Sequence, residues 1–154
     1  MKQLSHAHLG TLKLDVDMRQ VIPIGATPSG HRSIAPVQGG TFEGARLKAE
    51  VLPGGVDWVI TRPNGSMAID VRLVLLTHDK AHIALSYQGI LSTTPEAAQK
   101  MRSMKQAATH EISLKTVVKF ETGDQRYTWL NDLLAVSIGA PSPSGAIYEI
   151  FEIG

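Results

Sequence analysis

Short runs of alternating apolar and polar residues, each ended by Gly, Pro, Asn or Asp, extend through almost the whole chain. Because successive side chains of a strand point to opposite faces, this alternation predicts β-strands, and the short spacings predict antiparallel pairing. The predicted strands are Leu9–Met18, His31–Val37, Arg46–Leu52, Val56–Arg62, Met67–Thr77, His82–Leu91, Glu111–Phe120, Ala135–Ile138 and Ala146–Ile153.

One segment, "TTPEAAQKMRSMKQA", breaks the alternation. Thr94 is a good N-cap, Pro95 suits the first helical position and Glu96 the first turn, so a helix is predicted from about Pro95 to Gln106. Many short strands with one helix indicate a barrel or a sandwich. We favour an all-β fold, a small antiparallel β-barrel with one short helix, because closure removes exposed edges.

The composition limits the class of protein. A length of 154 residues suits one domain, residues 1–154, and 43% hydrophobic residues suit a globular core. A formal net charge of +1 without a basic run predicts no nucleic-acid or acidic-membrane partner. The chain has no cysteine, and its beginning resembles neither a signal peptide nor a membrane span. We therefore expect a cytoplasmic protein.

The stretch "RPNGSM" predicts the pairing of two strands, because Asn-Gly is the favoured pair of a two-residue type I′ turn. This turn would place Asp57 opposite Arg72, and the two side chains would share a face. In "THDKAH", a two-residue Asp79-Lys80 loop would place Arg72 opposite Tyr87. The predicted patch is therefore a row of Asp57, Arg72 and Tyr87.

Asp70 is predicted to lie beside this row, with a gap at Gly89. If the face is exposed, Asp57 and Arg72 form a cross-strand ion pair worth at most ~1 kcal/mol. If the face lines a barrel, a charged cluster is costly and is more often functional. A carboxylate there without a partner would have a raised pKa and could act as a general acid or base.

The runs "GGTFEGARLKAEVLPGGVDWVITRPNGSMAIDVRLVLLTHD", "FETGDQRYTWLN" and "GAIYEIFEIG" carry a family resemblance. The chain resembles the bacterial and fungal domain-of-unknown-function family 3237 from about Leu9 to Ile153. Lys80 is a departure, because the family usually has Asp-Gly in this turn. The resemblance implies a small antiparallel β-barrel, and it implies neither an activity nor catalytic residues.

Histidines are the main candidates for metal ligands. His6 and His8 form an H-x-H, and His78 and His82 are four residues apart, but neither pair has a third ligand at a suitable spacing. We therefore predict no metal site, and no phosphate-loop or dinucleotide motif predicts a cofactor. The stretch "IGATPSGHRS" is interpreted as a mobile loop at a barrel mouth.

Three of the eight aromatic residues lie in or beside "FETGDQRYTWLN". Trp129 could close a barrel end as plain core, with Arg126 paired to Glu121 or Asp124. Alternatively, Tyr127 and Trp129 form the apolar walls of a ligand pocket. In that pocket, Arg126 and Asn131 would be the polar contacts, and Phe42 and Glu43 of "GGTFEG" would lie at the same mouth.

Three functions remain open from the sequence. The first is a cofactor-independent isomerase, cyclase or lyase acting on a small, partly apolar, oxygenated molecule. Asp57, Asp70 or Glu43 would transfer protons, and Arg72 and Tyr87 would stabilise charge on oxygen. The others are a non-catalytic carrier or sensor of such a ligand, and a structural oligomerisation module.

The apolar face around Trp58 also predicts a homo-oligomer, most simply a dimer. Sedimentation at micromolar concentration should then show a species larger than 16.6 kDa. A single species at 16.6 kDa would contradict this prediction.

Overall fold

The computed structural model describes residues 1–103 and 111–154, and this part of the chain contains ten β-strands. They are β1 (His6–Val16), β2 (Ile22–Thr27), β3 (Gly30–Glu43), β4 (Lys48–Val51), β5 (Gly55–Thr61), β6 (Met67–Thr77), β7 (His82–Thr93), β8 (Ile112–Glu121), β9 (Ala135–Ser142) and β10 (Gly145–Ile153). A helix α1 spans Pro95–Arg102, and 3-10 helices span Met18–Gln20 and Gln125–Leu130.

The strands form a closed antiparallel barrel of eight strands with two additional strands. Neighbours follow the order β1-β10-β9-β8-β7-β6, and β4 and β5 each pair with both β6 and β3. Pairing of β1 with β3 closes the ring. The predicted barrel is confirmed.

Alternation along the strands places one apolar face inside the barrel. In β6 the residues Ile69, Val71, Leu73 and Leu75 are buried, whereas the residues between them are half-buried or exposed. The same alternation in β7 and β8 adds buried residues to one continuous apolar core on the inner face of the barrel.

Helix α1 begins where the sequence predicts. The Thr94 hydroxyl accepts a hydrogen bond from the Ala97 N–H at 3.1 Å, which is the expected N-cap contact. The helix ends at Arg102, and the predicted end at Gln106 lies outside the described residues. Across residues 1–103 and 111–154, no helix has the length and apolar character needed to cross a membrane.

The predicted mobile loop in "IGATPSGHRS" is wrong, because this segment forms the hairpin of β2 and β3. Gly25 has a φ of 102°, and the register shifts between Pro23 and Gly25. A glycine in this conformation allows a β-bulge, so β2 continues through Pro23 and Gly25, the residue types that suggested a loop.

The predicted two-residue turn at Asn64-Gly65 is also wrong. Arg62 donates its N–H to the Ser66 carbonyl at 2.8 Å, which leaves a three-residue loop. The proline ring fixes the φ of Pro63 near −65°, and within this loop Gly65 alone has a positive φ, of 85°. A type I turn with a bulge results, and the Asn64 side chain accepts a hydrogen bond from the Ser66 N–H.

The second predicted loop, Asp79-Lys80, contains the same error. Thr77 donates its N–H to the Ala81 carbonyl at 2.9 Å, and Lys80 has a φ of 71°. Each loop therefore has one residue more than predicted. Since side chains alternate between faces, a slip of one residue exchanges the two faces of the partner strand.

Replacing Lys80 with Gly should stabilise the protein. The left-handed conformation costs a side-chain-bearing residue about 1–2 kcal/mol, and greater freedom of Gly in the unfolded chain offsets about half of this gain. We expect the free energy of unfolding to rise by about 0.5–1 kcal/mol in urea titrations. Lys48→Gly within β4 is the control and should destabilise, and a loss of stability in Lys80→Gly would contradict this reading of the loop.

Candidate functional site

The one-residue errors in the two predicted loops cancel when the register is followed across β5, β6 and β7. Asp57 pairs with Val71 on β6, and Val71 pairs with Tyr87 on β7. Asp57 and Tyr87 therefore share one face, as predicted, with Val71 between them in place of Arg72. This face is the inner one, which the sequence had left open. The predicted pairing of Asp57 with Arg72 is wrong, since Arg72 lies opposite Val56 and is exposed on the outer face.

Asp57 lies where the β5–β6 ladder is interrupted. Its pair with Val71 is followed by Ile60 with Ala68, and Trp58 and Val59 have no partner on β6. Oδ1 of Asp57 accepts the N–H of Asp70 at 3.2 Å. The carboxyl group of Asp57 thus takes a backbone donor at the interruption.

Burial raises the pKa of Asp57 to about 7. The hydrogen bond from the Asp70 backbone lowers this pKa, and the nearby Asp70 carboxylate raises it. Burial is the largest of these effects, because removing a carboxylate from water without a paired cation disfavours the charged form. Among the described residues Asp57 therefore has no cation partner, which is the condition under which the sequence predicts acid–base chemistry.

Two tyrosines lie on the same inner face. Tyr87 and Tyr148 are buried, and their ring centroids are 4.9 Å apart with an angle of 56° between the planes. Within residues 1–103 and 111–154, the buried Tyr87 hydroxyl has no hydrogen-bond partner. Burial is the main cause of a Tyr87 pKa well above its usual range, with smaller contributions from Tyr148 and Asp57.

Burial also raises the pKa of Tyr148, to about 12, whereas the Tyr87 hydroxyl lowers this pKa and the charge of Asp57 raises it slightly. Both phenols are therefore neutral near pH 7, where they can donate hydrogen bonds. We use the name inner cluster for Asp57, Tyr87 and Tyr148. It joins one acid that titrates near neutrality to two neutral phenols.

The gap predicted at Gly89 is not present. Gly89 pairs with Ile69 on one side and Thr116 on the other. A Cβ at Gly89 would lie 2.7 Å from Cγ2 of Thr116, so the neighbouring strand already occupies this space. Thr116 is itself buried and shares a hydrogen bond of 2.5 Å with the hydroxyl of Ser137.

Asp70 and Arg72 line a hollow of about 350 Å³ on the outer face, together with Gly54, Val56 and Trp58. Trp58 is half exposed, and the Arg32 guanidinium lies 5.7 Å from its ring centroid. Two of the predicted catalytic residues are thus on the opposite side of the barrel wall from Asp57 and Tyr87.

Glu43 and Phe42 are at a third position. Phe42 is fully buried, 6.2 Å from Phe120 between ring centroids, and contributes to the core. Glu43 is exposed and pairs with Thr11 and Lys48 in the sheet. The two residues are neighbours in sequence, but alternation directs their side chains to opposite faces of β3.

The stretch "FETGDQRYTWLN" closes one end of the barrel. Its 3-10 helix, Gln125–Leu130, buries Tyr127 and Leu130 in the core. The Tyr127 hydroxyl donates to the Asp79 carboxylate at 2.8 Å. Arg126 forms ion pairs with Asp124 at 2.8 Å and with Asp79 at 3.2 Å. These contacts attach the helix to the β6–β7 loop.

Trp129 and Asn131 complete this end. The Arg46 guanidinium lies 4.2 Å from the Trp129 ring centroid, and the partly buried ring packs on the core. Asn131 accepts the Thr122 N–H at 2.8 Å and donates to the Thr122 carbonyl at 3.0 Å. Each side chain has an intramolecular contact that holds the closed end, and their role in ligand binding stays a prediction.

Tyr148 is the residue of the inner cluster that the sequence analysis missed. It lies in "GAIYEIFEIG", where alternation alone identifies it as one inward side chain among several. Strands β9 and β8 separate β10 from β7 in the sheet, so the curvature of the barrel is needed to bring the Tyr148 ring to the Tyr87 ring. A register count around the ring would have been needed to find it.

The class of this protein is a small closed antiparallel β-barrel, with the half-buried acid Asp57 on its inner wall. The chain belongs to the family described as Protein of unknown function (DUF3237), whose model matches residues 5–153. Among its relatives, a UPF0311 protein of Clostridium acetobutylicum is 25% identical over 99% of this chain and 96% of its own.

Solved structures share the fold. A conserved protein of unknown function from Rhodopseudomonas palustris has a TM-score of 0.93 at 25% identity and covers all of both chains. A β-barrel-like protein from Acinetobacter baumannii has a TM-score of 0.86 at 30% identity, over 100% of this chain and 98% of its own. An enzyme from Penicillium herquei, with 17% identity and a TM-score of 0.74 over 100% and 97%, has the same fold.

Proposed function

We propose that this protein binds a small, partly apolar, oxygenated molecule at the inner cluster and acts on it by acid–base chemistry. The reaction is that of a cofactor-independent isomerase, cyclase or lyase, and Asp57 transfers the proton. The observation that carries this proposal is an aspartic acid on the inner wall, Asp57, for which residues 1–103 and 111–154 supply no cation partner. It shares this face with the Tyr87 hydroxyl, which has no hydrogen-bond partner among the same residues.

The chemistry of Asp57 supports proton transfer in both directions. An acid with a pKa of about 7 is present in both forms near neutral pH, so it can accept a proton and return it. Its neighbours on the inner face, Ala35 and Val71, are apolar, which favours a ligand that is itself partly apolar. The Penicillium herquei enzyme supports the barrel as a scaffold and nothing finer.

The reaction can be detected without knowing the natural substrate. Wild-type protein, Asp57→Asn and Asp15→Asn are incubated in deuterated water with a panel of small ketones and lactones. Asp15 is an exposed aspartate on β1, so its variant is the matched control. We expect deuterium exchange at carbon in the wild type and in Asp15→Asn, and a loss of at least ~100-fold in Asp57→Asn.

The alternatives predict other results. In a carrier or sensor, Asp57→Asn would change the affinity of a bound compound, and no protein would accelerate exchange. In an oligomerisation module, native mass spectrometry would find no small molecule bound to the purified protein. The absence of Asp57-dependent exchange would contradict a catalytic role for Asp57, whereas the absence of a co-purified molecule alone would not.

A further inference from the structure

The inner cluster contains a polar group whose partner is not supplied by the described residues. The Tyr87 side chain is only 2% exposed, and its hydroxyl makes no hydrogen bond of ordinary geometry within that part of the chain, although it lies near the Tyr148 hydroxyl. Leaving such a group unpaired is unfavourable, and buried hydroxyls in native proteins are usually satisfied. A ligand oxygen that accepts a hydrogen bond would satisfy it.

The neighbours of this hydroxyl define which form of oxygen it can bind. Tyr87 is neutral near pH 7, so it can donate to a carbonyl or an enolate oxygen. Asp57 lies across Val71 on the same inner face and remains partly exposed. A ligand bound along this face would therefore meet Asp57 and Tyr87 on the two sides of Val71.

We propose that the substrate is an enolisable ketone, with Asp57 as the base at the carbon next to the carbonyl and Tyr87 as the donor to its oxygen. This inference rests on the proposed function and names its substrate class. Asp57 takes the α-proton, the C–H electron pair forms the enolate C=C bond, and the negative charge moves to the oxygen held by Tyr87. The protonated Asp57 then returns the proton to carbon, so that no oxidant or reductant is required.

Tyr148 is a positioning residue in this arrangement. Its ring packs against the Tyr87 ring, with 4.9 Å between the ring centroids, and so helps to hold that ring in place. A donor held in place before the reaction stabilises charge that develops on oxygen better than one that must reorganise. The hydrogen-bond donor in this site is thus the Tyr87 hydroxyl, whose ring packs against the ring of Tyr148.

The test uses 4-nitrophenolate as an analogue of the enolate, with its visible absorption as the readout. Asp57→Asn imitates the neutral, protonated acid that faces the enolate during the reaction. We expect Asp57→Asn to bind 4-nitrophenolate at least about tenfold more tightly than the double variant Asp57→Asn, Tyr87→Phe. The reason is that the double variant lacks the Tyr87 hydrogen bond to the charged oxygen. Toluene, which lacks the oxygen, should bind both variants equally.

A second measurement uses the ligand-free protein and verifies that the variant folds. Tyr87→Phe removes an unsatisfied hydroxyl, so its melting temperature should equal or exceed that of the wild type. Tyr127→Phe loses the hydrogen bond to Asp79 and should melt lower. A drop in Tyr87→Phe as large as that in Tyr127→Phe would show that the hydroxyl already has a partner and would overturn the proposal.

The two proposals fail in different ways. Equal nitrophenolate affinity in the single and double variants, or no binding to Asp57→Asn, would overturn the assignment of Tyr87 and the ketone class. Deuterium exchange that depends on Asp57 would still support the acid–base function in that case. If exchange is absent while Tyr87-dependent phenolate binding is present, the site holds an oxygenated ligand without acting on it, and the proposed reaction fails.

Discussion

Asp57→Asn should make the protein more stable at pH 8, although it removes the residue that we assign to proton transfer. The pKa of this carboxyl rises from 3.8 to about 7 on folding. At about 1.36 kcal/mol per pKa unit, the ionised form lowers the free energy of unfolding at pH 8 by on the order of 4 kcal/mol. Asparagine has a similar shape, can accept the same N–H, and does not ionise.

The sign of this effect depends on pH. Between pH 4 and pH 7 the folded protein keeps a proton that the unfolded chain releases, so wild-type stability falls as the pH rises. Below pH 4 both states are protonated, and the two proteins should be similarly stable. Chemical denaturation at a series of pH values between 4 and 8 measures the difference directly.

Asp79→Asn is the control of opposite sign. Hydrogen bonds from Thr77 and Tyr127 lower the Asp79 pKa, so its ionised form favours the folded state and the variant should lose stability at neutral pH. If Asp57→Asn is less stable than the wild type at pH 8, Asp57 has a stabilising partner and is not the unpaired acid described above.

Leu130→Ala should produce the largest loss of stability in the closed end of the barrel. Leu130 is 0% exposed and belongs to the core beneath the 3-10 helix. Truncating a buried leucine removes apolar contacts and leaves a cavity, at a cost of about 2–5 kcal/mol. Because a small domain has only about 5–15 kcal/mol of stability, the variant should melt much lower in calorimetry.

Thr128→Ala is the matched control, since Thr128 is an exposed residue of the same 3-10 helix. It should change the melting temperature little. If Leu130→Ala and Thr128→Ala had the same melting temperature, the 3-10 helix would contribute little to the stability of the core. The pocket interpretation of "FETGDQRYTWLN" would then be favoured over structural closure.

The fold could be predicted from the chain because barrels leave a local signature. Alternation identifies strands, and in "TTPEA" a capping residue followed by proline identifies the beginning of the helix. These signals depend on neighbouring residues only. Assignment of the family extends the same conclusion to the whole chain.

The site was harder to predict because it depends on register. Pro63 favours a type I turn, and this preference decides against the type I′ turn expected from Asn64-Gly65. Lys80 adopts a left-handed conformation that usually calls for glycine, so the second loop gave no sign of its length. Asp57 and Tyr87 were placed on one face because two equal errors cancelled, whereas Asp70 and Arg72 were placed on the wrong one.

The closing of the ring by β1 has a consequence for how this barrel assembles. Strand β1 pairs with β3 near the start of the chain and with β10 at its far end. During synthesis, the edge of β1 that pairs with β10 stays unpaired until β10 has been synthesised. Contacts so distant in sequence close slowly. We therefore expect the nascent chain to depend on chaperones at the β1 edge, which is its longest-lived site for aggregation.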